Sequence, residues 1–104
     1  MRGGSPDVIR FTGPLWIWRG EAANGNWHFV TVPEDQSAEI KAHAFGSPRG
    51  FGSVRVEAAI GDVRWRTSVF PLSSGGYILP VKAEVRRKAN VAADDDVNVT
   101  LELL

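Results

Sequence analysis

Two runs of alternating apolar residues, Val54 to Ile60 and Val63 to Phe70, are separated by only Gly61-Asp62. So short a connection suits a tight antiparallel hairpin, and glycine supplies the positive φ that such a turn requires. Side chains alternate along a strand, so the turn also sets the register. Pairing outward places Ile60 opposite Val63, Ala58 opposite Trp65, Val56 opposite Thr67 and Val54 opposite Val69. That face is mostly apolar, with small Ala58 leaving room for the indole. The other face pairs Arg55 with Ser68, Glu57 with Arg66 and Ala59 with Arg64. An exposed Glu57–Arg66 pair adds at most about 1 kcal/mol, but its occurrence supports the register.

The rest of the chain reads around this hairpin. Phe11 to Arg19 and Trp27 to Val32 form an earlier one, joined through GEAANGN with Asn24-Gly25 as its turn dipeptide. Gly13-Pro14 is expected to break or bulge the first strand near an edge. EDQSAEIKAHAF reads as a short helix capped by Asp35 or Ser37, with Ala38, Ile40 and Ala44 turned inward. Residues 46 to 53, GSPRGFGS, hold too many breakers for regular structure and form a loop with Phe51 folded back. Tyr77 to Leu79 is a strand, and Pro80 suits the first turn of a helix over VKAEVRRKA, with Val81, Val85 and Ala89 packing down. Glu84 pairs with Lys88, and Asn90 is a left-handed helix end. VNVTLEL alternates with Val97, Val99, Leu101 and Leu103 inward.

The chain has 104 residues, the size of one domain, and 43% of them are hydrophobic, enough for a core. Residues 1 to 8 read as a flexible lead-in and 9 to 104 as the folded unit. Lysine plus arginine and aspartate plus glutamate balance at 12 each, so no global field favours nucleic acid or an anionic membrane. The absence of cysteine excludes disulfides and thiolate chemistry. No signal-peptide core or long apolar span is visible, and a cytoplasmic setting is expected.

Four segments, TVPEDQSAEI, VRVEAAIGDVRWRTSVFP, GGYILPVKAEVRRKANV and DDDVNVTLEL, carry a resemblance. In their order and spacing, from about Phe11 to the end, they resemble the bacterial family DUF1905, a domain of unknown function. The most specific parts are the strand ending Thr67-Ser68-Val69-Phe70-Pro71 and the segment Leu79-Pro80-Val81-Lys82 to Arg86. The resemblance implies a mainly β fold: a small closed β-barrel of about six strands with one or two short helices, related to the double-split barrels of swapped-hairpin transcription regulators. It also implies that some relatives join a helical domain linked by name to bacteriocin protection, a domain not expected in this chain. One departure stands out. The family commonly has Gly-Asp before its last strand and this chain has Asp94-Asp95, so Asp94 is expected at positive φ at a cost of roughly 1 kcal/mol.

No catalytic constellation assembles. His28 and His43 have no HxxxH or HxH partner, Ser68 lacks a nucleophile-elbow context, and Asp94 to Asp96 lack EF-hand spacing. No catalytic residue, metal or cofactor is therefore assigned. A binding site has more material. Ser73-Ser74-Gly75-Gly76 can present backbone N–H groups, and Lys82 in a first helical turn meets no favourable dipole unless an anion neutralises both. Arg86, one turn on, adds a planar fork, and Tyr77 a ring or hydroxyl. The candidate ligand-binding residues are thus Ser68, Ser74, Gly76, Tyr77, Lys82 and Arg86. The bland alternative is that Lys82 pairs with a carboxylate of the domain and the glycines only turn the chain. Trp16, Trp18, Trp27 and Trp65 are expected mainly in the core.

The leading expectation is a non-enzymatic module binding a small anionic ligand or acidic protein segment near residues 73 to 86. A dimeric nucleic-acid-binding regulator is the alternative; it implies a homodimer, and the neutral charge counts against it. An enzyme accessory domain is a further alternative.

Overall fold

The structure, a computed structural model, describes residues 8–19, 26–45 and 52–104. Its elements run β1 (Val8–Arg19), β2 (Asn26–Val32), α1 (Glu34–Phe45), β3 (Val54–Ile60), β4 (Val63–Pro71), β5 (Tyr77–Pro80), α2 (Ala83–Ala89) and β6 (Asp96–Leu103). The strands close into an antiparallel barrel in the order β1-β2-β5-β4-β3-β6, with β6 returning to β1. Closure gives every strand two neighbours and so shortens the exposed edges that a small all-antiparallel domain must protect, although β4 meets β5 only at Phe70 and Pro71.

The β3–β4 register follows from the turn as expected: Gly61 has φ 60°, and Ile60, Ala58, Val56 and Val54 stand opposite Val63, Trp65, Thr67 and Val69. Ala58 is fully buried, and half-buried Trp65 packs against the core from the facing strand. β6 slots between β3 and β1 with Val97, Val99, Leu101 and Leu103 buried. These residues meet Leu15, Val30, Val32, Val69 and Leu79 from the other strands in one continuous interior.

β1 begins at Val8, ahead of the expected Phe11, because Val8, Ile9 and Arg10 pair with Glu102, Leu101 and Thr100. The expected break at Gly13-Pro14 does not occur. Residues up to Pro14 pair with β6 and those from Leu15 pair with β2, so the dipeptide marks where one strand passes between two partners. A Cβ on Gly13 would lie 3.4 Å from the Thr31 carbonyl oxygen and 3.4 Å from a Val30 methyl, the mark of close backbone approach. The Asn24-Gly25 turn and Phe51 lie outside the described residues.

α1 spans the expected residues but starts differently. The Ser37 N–H bonds the Pro33 carbonyl, so neither Asp35 nor Ser37 caps the helix, and Glu34 and Asp35 sit in the first turn beside the positive dipole end. Ile40 and Ala44 are buried as expected, whereas Ala38 is exposed and Ser37 takes the inward position. At the other helix Pro80 is not a first-turn residue. It ends β5 opposite Phe29, and the Val81 N–H continues the pairing to the His28 carbonyl, holding the chain extended past the proline. Lys82 becomes the N-cap, extended at φ −72° and ψ 162°. Val85 is buried, Asn90 ends the helix at φ 57°, and Glu84 meets Lys88 at 3.2 Å. Asp94 adopts φ 78°, as the missing glycine implied, and the neighbouring Asp95 carboxylate accepts the Ala92 N–H at 2.8 Å.

Candidate functional site

The alternation that buries Leu15 of β1 and Val30 and Val32 of β2 sends Trp16, Trp18, Trp27 and Phe29 to the opposite, outer face. Trp16 stands opposite Phe29, and Trp18 opposite Trp27. Phe29 in turn faces Pro80 of β5, and Ile78 faces Phe70 of β4. Four adjacent strands therefore build one aromatic face on the outside of the barrel. Together with Leu72 these side chains line a groove of about 440 Å³. Trp18, Trp27 and Phe70 are 49%, 50% and 45% exposed, a large apolar area for solvent to wet.

The face is ordered by its own contacts. The Trp27 and Phe29 rings lie nearly parallel, 8° apart with centroids at 6.2 Å, and Trp16 tilts against Phe29 at 5.2 Å. The Trp16 indole N–H donates to the Thr31 hydroxyl at 2.8 Å, fixing that ring. The expectation that the four indoles belong mainly to the core is thus corrected: only Trp65 faces inward against it. The signal was present in LWIW, where both faces of a strand read as apolar.

The residues proposed for an anion fall into separate places. Ser74 and Gly76 lie in the β4–β5 hairpin loop, where Leu72 N–H bonds the Gly76 carbonyl and Gly75 N–H bonds the Leu72 carbonyl. The Gly75 N–H is therefore committed to the turn. The loop faces α1: Ser74, Gly75 and Gly76 share a cleft of about 450 Å³ with Ser37, Glu34 and Lys41. Tyr77 is buried, lines an adjoining cleft with Lys41 and Ser73, and has its phenol pushed above the usual range by burial. Lys82 lines neither cleft and is exposed at the start of α2. Arg86 turns its Nε to the Val81 carbonyl at 3.2 Å and lines a different cleft with Arg87, Asn90 and Asp95. Ser68 is half-buried on β4 opposite Arg55.

Two polar groups take roles that the sequence did not indicate. The buried Ser37 hydroxyl donates to the Val32 carbonyl and accepts the Tyr77 N–H, both at 3.2 Å, so one oxygen ties α1 to β2 and β5. His28 shares its side of β2 with Val30, and its Nδ1 is buried without a partner. Burial, then the charges of Arg86 and Arg19, hold its pKa below the ordinary 6.5. A neutral imidazole beside cations lacks the carboxylate orienter of a general base.

No match was found among curated proteins. A family model does match, over residues 11–101, and its span takes in β2 to β5, both helices and most of β1 and β6. With the barrel closed by strands from within that span, the chain belongs to the family described as Domain of unknown function (DUF1905).

Proposed function

We propose that this domain is a non-enzymatic binding module that receives a low-polarity ligand on the outer aromatic face of β1, β2, β5 and β4. One observation carries the proposal: Trp18, Trp27 and Phe70 stand about half exposed around a groove whose lining has no charged residue. Apolar rings gathered on the outside of a barrel with a filled interior add little to folding, while apolar grooves of this size suit ligands. The neutral dye Nile red tests it. Its fluorescence should rise with the folded parent and not with Trp18→Ala/Trp27→Ala, while circular dichroism stays unchanged. Equal dye binding by the parent and the double variant would overturn the proposal.

An anionic ligand or acidic segment is a second reading, with its place shifted. It is supported by Arg86 and Arg87 lining one cleft with Asn90, and by Lys41 joining Ser74 and Gly76 at another. Stabilisation of the parent by phosphate or a dicarboxylate, lost in Lys41→Ala or Arg87→Ala, would establish which cleft is used.

A further inference from the structure

We infer that the groove between α1 and the β4–β5 turn holds a short peptide with free ends, its carboxylate toward Lys41 and its ammonium toward Glu34. This rests on the second reading above, that the domain receives an anionic group, and goes on to name the cleft and the ligand. No tryptophan lines this groove, so it is separate from the aromatic face.

Glu34, Ser37, Ala38 and Lys41 recur at helical spacing and form one stripe along α1. Across a cleft of about 450 Å³ the stripe faces Ser74, Gly75 and Gly76. A second cleft, of about 390 Å³, shares Lys41, Gly75 and Gly76 with the first and adds Ser73 and Tyr77. The Ser37 hydroxyl, bonded to the Val32 carbonyl and the Tyr77 N–H, fixes the helix against the turn. Between the two charged side chains the lining includes Ala38, Gly75 and Gly76, small residues that leave room for a peptide main chain.

The groups around Lys41 call for an acceptor. Tyr77 is only 3% exposed, yet its hydroxyl makes no hydrogen bond among the described residues. A buried tyrosine hydroxyl ordinarily finds a partner, and burial keeps this phenol protonated and able to donate. The backbone N–H groups of Ser73, Ser74 and Gly76 are also without a partner among the described residues. With the Lys41 ammonium they make a set of donors suited to a carboxylate. The cleft beside α2 is less suited, because Arg86 is engaged with the Val81 carbonyl and Asp95 shares the lining.

Charge and spacing then select the ligand. Among the described residues, Lys41 is the single cation and Glu34 the single anion lining the two clefts, and neither forms an ion pair. A dianion would have one cation to balance it and would also meet Glu34; a zwitterion satisfies both side chains. Seven residues of helix separate Glu34 from Lys41 by ~10.5 Å along the axis. An extended chain advances ~3.5 Å per residue, so two or three residues match that gap and a single amino acid covers about a third of it.

Trialanine with free ends, titrated into the full chain and followed by amide NMR, tests the inference. Saturable shifts are expected at residues 34 to 41 and 73 to 77. Acetylating the amine, amidating the carboxylate or shortening the probe to alanine should each weaken binding about tenfold or more, the loss of one charge-assisted contact. Glu34→Gln should weaken free trialanine but not its N-acetyl form. Tyr77→Phe should weaken both while thermal stability stays at the parent value, since the hydroxyl has no protein partner to lose. Equal binding of alanine or of trialanine blocked at both ends overturns the inference, as does peptide binding that Trp18→Ala/Trp27→Ala abolishes. If N-acetyl-trialanine and phosphate bind as tightly as the free tripeptide and Lys41→Met weakens all three, the ligand is wrong and the anion reading stands. If no probe binds, the anion reading falls at this cleft together with the peptide.

Discussion

At the scale of single residues, the polar atoms beneath the helices constrain the molecule most and are the hardest to find from sequence. Ser37 reads as a cap because serine favours helix starts, yet its hydroxyl is buried between Val32 and Tyr77, a residue 40 positions away. Ser37→Ala should cost about 1 to 3 kcal/mol in urea denaturation, since it strands a buried carbonyl and a buried N–H; an unchanged midpoint would refute that tie. His28 supplies a pH prediction. Its folded pKa lies below 6.5, so the unfolded chain takes up its proton first as pH falls. The stability present above pH 6.5 should decline as pH drops through the folded pKa, and His28→Gln should flatten that part of the profile. Arg86→Ala should raise the His28 pKa in an NMR titration by removing a nearby positive charge, with burial still holding it below 6.5. Asp94 was legible, because a missing glycine at a turn leaves a visible trace in the chain itself. Ser37 was not, because Tyr77 is remote in sequence, and neither was His28, whose surroundings are set by tertiary burial and by Arg86 far along the chain.

Among elements, legibility followed how local the determining interaction is. The β3–β4 hairpin was readable to the residue because a two-residue turn and alternation set every pair. Ala58→Leu should therefore overpack the interior opposite Trp65 and cost about 1 to 3 kcal/mol; thermal stability equal to the parent would contradict that packing. The β5–α2 junction was misread by three residues of helix start, because the pairing of Val81 with His28 comes from a strand far back in the chain. That shift changes the meaning of the basic row. Arg86 acts as a clamp on the Val81 carbonyl, whereas Lys82 is an exposed N-cap without a side-chain cap bond. Arg86→Ala should lower stability by about 1 kcal/mol. Lys82→Ala should leave it within about 0.5 kcal/mol, and a large loss in that variant would mean that Lys82 has a structural partner after all.

For the whole molecule, the barrel divides its exterior into unlike halves. The outer surface of β3, β6 and the start of β4 carries Arg55, Arg64, Arg66 and Glu102, exposed and mixed in sign. The outer surface of β1 beyond Leu15, with β2, β5 and the end of β4, carries the aromatic groove. Composition alone could not reveal that division, since it counts indoles without saying which face of a strand they take. It does bear on the choice of partner. Backbone binding to duplex DNA draws its affinity from lysines and arginines that neutralise phosphates, and it weakens steeply with salt. Here 12 basic residues are balanced by 12 acidic ones, Arg86 is engaged with a main-chain carbonyl, and Lys88 is paired with Glu84. The exposed cations on β4 also neighbour Glu57 and, through β3, Glu102, so a phosphate approaching them meets carboxylates as well. No duplex retention is expected in a gel-shift assay at about physiological salt, where nonspecific binding is already weak. Salt-dependent retention at micromolar protein, lost in Arg64→Ala/Arg66→Ala but unaffected by Trp18→Ala/Trp27→Ala, would overturn this and move the binding surface from the aromatic half of the barrel to the charged one.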